Sequence, residues 1–380
     1  MKKVGLVGWR GMVGSVLCER MAQEGDFARI SPFYFSTSGA GKTMVDRENR
    51  SHLLLDATAI DELSAMDIII SCQGGDYTKS VYADLRGSGW DGYWIDAASA
   101  KRMDADSVII LDPVNRGQID TALEQGVKNF IGGNCSITLS LLGLAGLFRA
   151  DLIEWMSLMT YQAASGAGAS HVRELLGQMR AISSEVEAEL NDPSGPILTL
   201  LGKARAAIGN DAFPTRQFGA PLAGSLIPWI DSDLGDGMSR EEWKGEVETN
   251  KILDLPLGEI KVDGLCIRIG ALQSHSAAIT FKLKRDASIG ELEALLTDAH
   301  EWIDYVPNNK IDSVARLSPA ATSGSLKVAV GRLRKMGVGE NLYSVLTVGD
   351  QLLWGAAEPL RRMLNILLER DGAAADRASP

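Results

Sequence analysis

Lys3-Val4-Gly5-Leu6-Val7-Gly8-Trp9-Arg10-Gly11-Met12-Val13-Gly14 is the stretch on which the reading of the fold turns. A short apolar run enters glycines spaced by three, and Val16, Leu17 and Met21 then continue at helical spacing. Strand, glycine turn and helix in that order open a dinucleotide-binding unit. Gly8 permits the tight turn, Gly11 lets the backbone approach a pyrophosphate, and Gly14 lets the helix pack closely on the sheet. The helix N-terminus adds free N–H donors and positive potential. The spacing is GxxGxxG, one residue longer at its first interval than the usual fingerprint, so a nucleotide turn and ordinary turn glycines both stand at this point.

Working outward, residues 30–35 form a second strand pattern ending in Ser36-Thr37-Ser38, with no carboxylate at its tip. A carboxylate there would bind the ribose 2′-hydroxyl of NAD, whereas hydroxyls beside a guanidinium suit the 2′-phosphate of NADP. Arg10, Thr37 and Ser38 are therefore the candidate phosphate group, or else the hydroxyls cap a turn. Strand patterns at 68–71, 94–96 and 108–111, separated by helical or loop material, give the rhythm of a mostly parallel sheet. Cys72-Gln73-Gly74-Gly75 and Ala97-Ala98-Ser99 follow two of these strands, at the edge where such sheets place their ligand crevice. Cys72 itself reads as a small packed side chain, since no base or cation marks it out.

A further strand approaches Gly132-Gly133-Asn134-Cys135-Ser136, and an apolar helical stretch spans 135–148. Cys135 would then sit where unsatisfied helix N–H groups favour a thiolate and stabilise an oxyanion. The alternative is a buried, inert cysteine. The chain has only four histidines. His275 follows the strand pattern at 265–269 that carries Arg268, so cysteine, histidine and arginine together could support covalent acyl chemistry, with the guanidinium clamping a carboxylate. The other reading makes Arg268 and His275 surface groups. His171 opens a helix and reads as structural or interface packing, while Glu242, Trp243 and Lys244 alone read as solvated surface, although Lys244 could meet an anionic substrate.

The whole-chain totals bound these possibilities. At 380 residues, 45% hydrophobic, the chain has material for two domains. A formal net charge of -11 gives no support for nucleic-acid or anionic-membrane binding, though a locally basic pocket remains compatible with it. Cys18, Cys72, Cys135 and Cys266 lack CxxC spacing, which argues against a disulfide framework and a metal cluster. The start has no signal-peptide pattern and 135–148 is too short to span a bilayer, so a cytoplasmic protein is expected. Residues 191–196 and 231–237 carry loop chemistry, and 371–380 is expected to be a frayed tail.

Taken together, Gly8–Gly14, Gly132-Gly133-Asn134-Cys135-Ser136, Tyr161-Gln162-Ala163-Ala164-Ser165-Gly166 and Arg268-Ile269-Gly270-Ala271-Leu272-Gln273-Ser274-His275-Ser276 make the sequence resemble bacterial aspartate-semialdehyde dehydrogenases over essentially its whole length. The resemblance implies an α/β fold: a Rossmann-like NADP-binding domain over 1–133, completed by a C-terminal helix at about 355–370, and a mixed α/β catalytic and dimerisation domain over 134–354. It implies NADPH-dependent conversion of L-4-aspartyl phosphate to L-aspartate 4-semialdehyde, on the route to diaminopimelate, lysine, threonine and methionine, by a homodimer without a metal. Cys135 would be the nucleophile, His275 the acid/base and Gln162 the group that positions the acyl intermediate. Arg268 would bind the substrate α-carboxylate and Glu242 its amino group, with Arg102, Asn134 and Lys244 on the phosphate. Gly8, Arg10, Gly11, Met12, Val13, Thr37, Ser38, Gln73, Ser99, Ser165, Gly166, Pro193 and Gln351 would bind the cofactor.

One departure is Gly166-Ala167-Gly168-Ala169-Ser170-His171, where relatives often carry another glycine and an arginine before the histidine. A glyceraldehyde-phosphate-type dehydrogenase, an N-acetyl-glutamyl-phosphate reductase and a non-catalytic NADP-binding regulator are the alternatives. The full motif set disfavours each.

Overall fold

The computed structural model describes residues 1–46 and 49–378, without the side chains of 371 and 373–378. β1 (Lys2–Val7) lies between β2 (Ile30–Ser36) and β5 (Ile68–Ser71), parallel to both. The sheet continues through β6 (Tyr93–Asp96), β8 (Asn129–Gly132) and β7 (Ser107–Ile110) on one side, and β4 (Ser51–Asp56) and β3 (Thr43–Val45) on the other. Only the β3–β4 pairing is antiparallel. Val4, Leu6, Ile68 and Ile70 are all buried, the pattern of strands covered on both faces. Strand order reverses direction about β1, so the β1 and β5 ends open on a crevice.

The second sheet runs β10 (Leu226–Ile227), β12 (Cys266–Ile269), β9 (Ile153–Gln162), β13 (His275–Leu283), β16 (Leu342–Gly349), β15 (Val328–Lys335) and β14 (Ile303–Val306), with β11 (Lys261–Asp263) also on β9. Its centre is antiparallel, β9 against β13 and β13 against β16, whereas β12 and β11 run parallel to β9. β13 alternates strictly between buried and half-buried residues, so one face, with Ala277, Ile279, Phe281 and Leu283, enters the core.

Six helices place the functional residues: α1 (Met12–Gln23), α2 (Cys135–Gly143), α3 (Ala169–Glu185), α4 (Ile197–Ile208), α5 (Arg240–Ile252) and α6 (Glu358–Ala378). The apolar stretch from Cys135 does not make one helix through residue 148. It breaks at Leu144 and resumes over Ala145–Arg149. Glycine weakens a helix interior, and both Gly143 and Gly146 are held by close packing: a Cβ would lie 2.8 Å from Thr347 Cγ2 and 1.8 Å from the Leu295 carbonyl oxygen, respectively.

α6 closes the chain against the first sheet. Ala357, Leu360, Met363, Leu364 and Leu367 share a core with Val4, Leu6, Leu17 and Phe130. Arg361 pairs with Asp26 at 3.3 Å and Arg362 with Asp112 at 2.5 Å, tying the two ends of the sequence together. The helix continues to Ala378, so the described part of the tail expected from 371 is helical. Its run of alanines carries high helix propensity. Residues 379 and 380 of that expectation lie outside the described residues. Among the described residues, no helix is long and apolar enough to cross a membrane.

Candidate active site

Cys135 is the first residue of α2, and its setting begins one residue earlier. The Asn134 side chain caps the helix, its Oδ1 accepting from the Ser136 and Ile137 amides at 2.9 and 3.2 Å. Gly133 must be small, because a Cβ would lie 2.6 Å from Thr138 Cγ2. Directly across from the thiol, His275 opens β13, with Nε2 3.3 Å from Sγ. Ser274, with φ of +68°, turns the chain into that strand, and its hydroxyl shares a hydrogen bond with Ser323.

Two further strands converge here. Arg268 on β12 is buried and donates through Nη1 to the Ala163 carbonyl at 2.8 Å, while the Ala163 amide donates to His275 Nδ1 at 3.1 Å. Gln162, at the end of β9, donates to Thr160 Oγ1 and to Glu241 Oε1. Gly166 leaves the opening between these groups: a Cβ would lie 2.9 Å from His275 Nε2 and 3.0 Å from Arg268 Nη1.

The cationic wall comes from the turn after β6 and from α5. Arg102 is buried, donating to the Gly132 carbonyl at 2.7 Å and to Glu248 at 2.9 Å. Lys244 donates to Asp231 at 2.7 Å and Glu241 at 2.9 Å. Burial alone would lower the Lys244 ammonium, but Glu241 and Asp231 outweigh it and hold it above the usual range. Burial likewise opposes ionisation of Glu241, yet Lys244 and hydrogen bonds from Asn134 and Gln162 keep its carboxyl below its ordinary value. Burial pushes the Cys135 thiol up to about 11, with Glu241 adding to the rise and Arg268, Arg102 and Lys244 opposing it. His275 falls to about 3, through burial first and the Arg268 charge second. Burial thus opposes charge on both the thiol and the imidazole.

Glu242 requires a correction. It does not face this crevice: its Oε2 accepts from the Ser239 amide at 2.7 Å, completing a capping box at the start of α5, and its Oε1 accepts from the Cys266 amide at 3.1 Å. One residue is a rotation of about 100° on a helix, so Glu241 and Lys244, three apart, share the crevice face instead. Pro193 is exposed in the turn preceding α4 and does not line the crevice, because 191–196 runs between helices on the surface.

Cys135, Gln162, Arg102, Asn134, Lys244 and Arg268 line one open crevice of about 440 Å³. Val13, Ser99, Ser165, Gly166 and Gln351 border it as well. The sequence reading missed Glu241, Glu248 and Gly355. Gly355 lies in a wide π-type turn, Leu353–Ala357, where a Cβ would fall 2.8 Å from that of Cys135. Only the capping pattern Ser239-x-x-Glu242 could have flagged Glu241, by assigning Glu242 to the cap.

The opposite end of the crevice meets the glycine turn. Gly8 has φ of +72°, and a Cβ there would lie 2.6 Å from both the Cys72 carbonyl carbon and the Gln73 amide nitrogen. Gly14 packs so tightly that a Cβ would sit 2.2 Å from the Gly8 oxygen. Gly11 stands as the N-cap of α1 without a side-chain cap, and half-buried Met12 starts the helix. Arg10 Nη2 donates to Ser36 Oγ at 2.7 Å and to Ser38 Oγ at 3.4 Å, and Gln73 Nε2 reaches Thr37 Oγ1 at 3.5 Å. Ser36, which also accepts from the Gly39 amide, is the organising hydroxyl of this group.

These residues fit a dinucleotide. The uncapped helix start would take the pyrophosphate, and two buried crevice atoms, Ser165 Oγ and Gln351 Oε1, have no hydrogen-bond partner in the protein. Among the described residues, no group of three or more His, Cys, Asp or Glu is placed to hold a metal.

The chain matches the family model for the semialdehyde dehydrogenase NAD-binding domain over residues 3–122 and that for the semialdehyde dehydrogenase dimerisation domain over 144–354. It is 45% identical to the solved aspartate semialdehyde dehydrogenase from Francisella tularensis, covering 97% of this chain and 100% of that one with a TM-score of 0.91. The fold is shared at lower identity with aspartate semialdehyde dehydrogenase II from Vibrio cholerae, complexed with ASA: 22%, with 97% and 98% of the two chains covered and a TM-score of 0.79. It is also shared with the Candida albicans aspartate semialdehyde dehydrogenase with NADP: 16%, 97% and 98% covered, TM-score 0.65.

Proposed function

The chain belongs to the semialdehyde dehydrogenase family, and on that premise we propose that it catalyses the NADPH-dependent reductive dephosphorylation of L-4-aspartyl phosphate to L-aspartate 4-semialdehyde and inorganic phosphate. Its place is the route to lysine, threonine and methionine. The observation that carries this reading is the Cys135–His275 contact at a helix start, facing a crevice walled by Arg102, Lys244 and Arg268. A dianionic acyl phosphate with an α-carboxylate needs that distribution of cations, which the acidic average of the chain conceals.

Cys135 Sγ attacks the acyl carbon, phosphate leaves, and the acyl group is held as a thioester. Arg268 clamps the α-carboxylate; Arg102 and Lys244, with Asn134, receive the phosphate; Gln162 steadies the acyl oxygen. Glu241 takes the free amino group, which an N-acetylated substrate lacks, and this favours the aspartyl substrate over an N-acetyl-glutamyl one. When bound, the nicotinamide supplies the hydride that reduces the thioester. Gly8, Gly11 and the start of α1 hold its pyrophosphate. Arg10 with Ser36, Thr37 and Ser38 selects NADP over NAD, because no carboxylate occupies the β2 tip.

A homodimer is supported by an uncovered apolar surface. α4 buries none of its residues, and Ile197 and Leu198 are 64% and 75% exposed, next to exposed Leu176, Met179, Leu190 and Leu201. The deciding assay mixes purified protein with aspartate semialdehyde, phosphate and either NADP or NAD. Phosphate-dependent appearance of reduced cofactor, faster with NADP, is expected; no reduction with the aspartyl substrate overturns the reading.

A further inference from the structure

Asp350 is the first residue past β16, and it lies near the crevice histidine because Gly349 is the cross-strand partner of His275. Its carboxylate is buried, and N–H donors from three separate segments converge on it. Oδ2 accepts from Gln273 Nε2 at 2.6 Å and from the Gly324 amide at 2.7 Å, while Oδ1 accepts from the Leu352 amide at 2.9 Å. The crevice itself is lined by the next two residues, Gln351 and Leu352.

Each donor segment bears on the site. Gln273 and Ser274 form the turn into His275, and Ser274 holds φ at +68°, a backbone state that a residue other than glycine keeps under outside constraint. The far side of that turn is fixed by backbone bonds, from the Ala164 amide to the Ala271 carbonyl at 2.9 Å and from the Ser165 amide to the Leu272 carbonyl at 3.1 Å. Gly324 follows Ser323, whose hydroxyl meets that of Ser274 at 2.8 Å. Leu352 follows Gln351, whose buried Oε1 has no partner among the described residues, and it leads into the wide turn that sets Gly355 against Cys135. Resting on the reaction proposed above, with His275 moving the proton at Cys135 Sγ, we infer that Asp350 is a positioning residue for both halves of the site: through Gln273 it sets the His275 turn, and through the Leu352 amide it sets the cofactor-facing turn at Gln351.

The pattern of donors calls for a carboxylate. Both oxygens must accept, so an asparagine turned either way sets its NH2 against a backbone N–H, that of Leu352 or that of Gly324. One rigid group bonded to three segments also fixes them relative to one another. A displacement of about 1 Å at a reacting group can cost roughly 100-fold in rate, so a tie of this kind acts on the chemistry without touching substrate.

Two variants separate the arms. Gln273→Met cuts the arm to the histidine turn and leaves the Leu352 bond in place; Asp350→Asn disturbs both. Alkylation of Cys135 by iodoacetamide, followed by peptide mass spectrometry on full-length protein without cofactor, reads the hold of the imidazole on the thiol proton independently of any substrate. In Gln273→Met it should slow at least about fivefold, with kcat lowered about 10- to 100-fold, KM for NADPH within about twofold of wild type and the melting temperature within a few degrees. Asp350→Asn should in addition raise the NADPH dissociation constant at least about tenfold, measured by fluorescence titration. A folded Gln273→Met protein alkylated at the wild-type rate overturns the inference, whether or not Asp350→Asn folds. So does a rise in its KM for NADPH that matches its fall in kcat, or a folded Asp350→Asn protein with wild-type NADPH affinity. Wild-type protein that reduces no cofactor with the aspartyl substrate would sink the proposed reaction instead, with the alkylation rates still readable.

Discussion

Arg102 and Glu248 form a buried ion pair, Nη1 to Oε1 at 2.9 Å, across the junction of the two sheets. The second oxygen of Glu248 accepts from the Asn134 amide at 2.7 Å, so one carboxylate from α5 holds both a cation of the crevice wall and the residue that caps the Cys135 helix. Removing it leaves a buried guanidinium unpaired. Glu248→Ala should destabilise the protein by about 3–5 kcal/mol, measured by urea unfolding, whereas Glu248→Gln should lose less and show its main effect as a raised KM for phosphate.

Cys135→Ala removes the sulfur that lies 3.3 Å from His275 Nε2. Turnover should fall by more than about 10³-fold with cofactor affinity retained. Steady-state rates together with fluorescence titration of NADPH check both halves; near-parental turnover would remove Cys135 as the nucleophile.

Gly166→Ala tests the spacing around the imidazole. Its new methyl would press on His275 Nε2 and Arg268 Nη1 at about 3 Å. Expected is a loss in kcat of about 10- to 100-fold with an unchanged melting temperature to within a few degrees. A variant with wild-type kcat would show that the ring has room to move.

The folded protein depresses His275 from 6.5 to about 3, so folding favours the neutral ring. That contribution is fully present above about pH 6.5 and is lost as pH falls toward 3, because the unfolded chain binds the proton first. Between pH 6.5 and 4.5 the wild type should lose stability more steeply than His275→Gln, by a few kcal/mol at most. Urea melts across this window give the comparison, and parallel slopes would contradict the depressed value.

Arg10→Ala should raise KM for NADPH by about 10- to 100-fold and leave that for NADH nearly unchanged, since the guanidinium that bridges Ser36 and Ser38 faces only the 2′-phosphate in the proposed site. Similar losses for both cofactors would place Arg10 elsewhere in recognition.

Much of the fold was legible from local pattern. The glycine turn after β1, the apolar parallel strands and the cysteine at a helix start are each written within a few consecutive residues, because a strand or a cap is decided by its neighbours. The β3–β4 hairpin escaped notice since Thr43–Val45 is only three residues and mostly exposed, with no buried stripe to betray it. The break at Leu144 escaped for a different reason: it depends on Thr347 and Leu295, far away in sequence, pressing on two glycines.

The sequence by itself determined the chemistry on offer: a dinucleotide turn without a strand-tip carboxylate, one cysteine poised at a helix start, and a histidine and an arginine at the ends of strands. Tertiary structure decided which partners those groups have. It put Glu241 instead of Glu242 in the crevice, because a capping bond sets the rotation of α5. It also set the Ala163 amide against His275 Nδ1, across 112 residues. Hydrogen bonds of that kind are directional and short-ranged, so they join atoms that sequence spacing does not bring together.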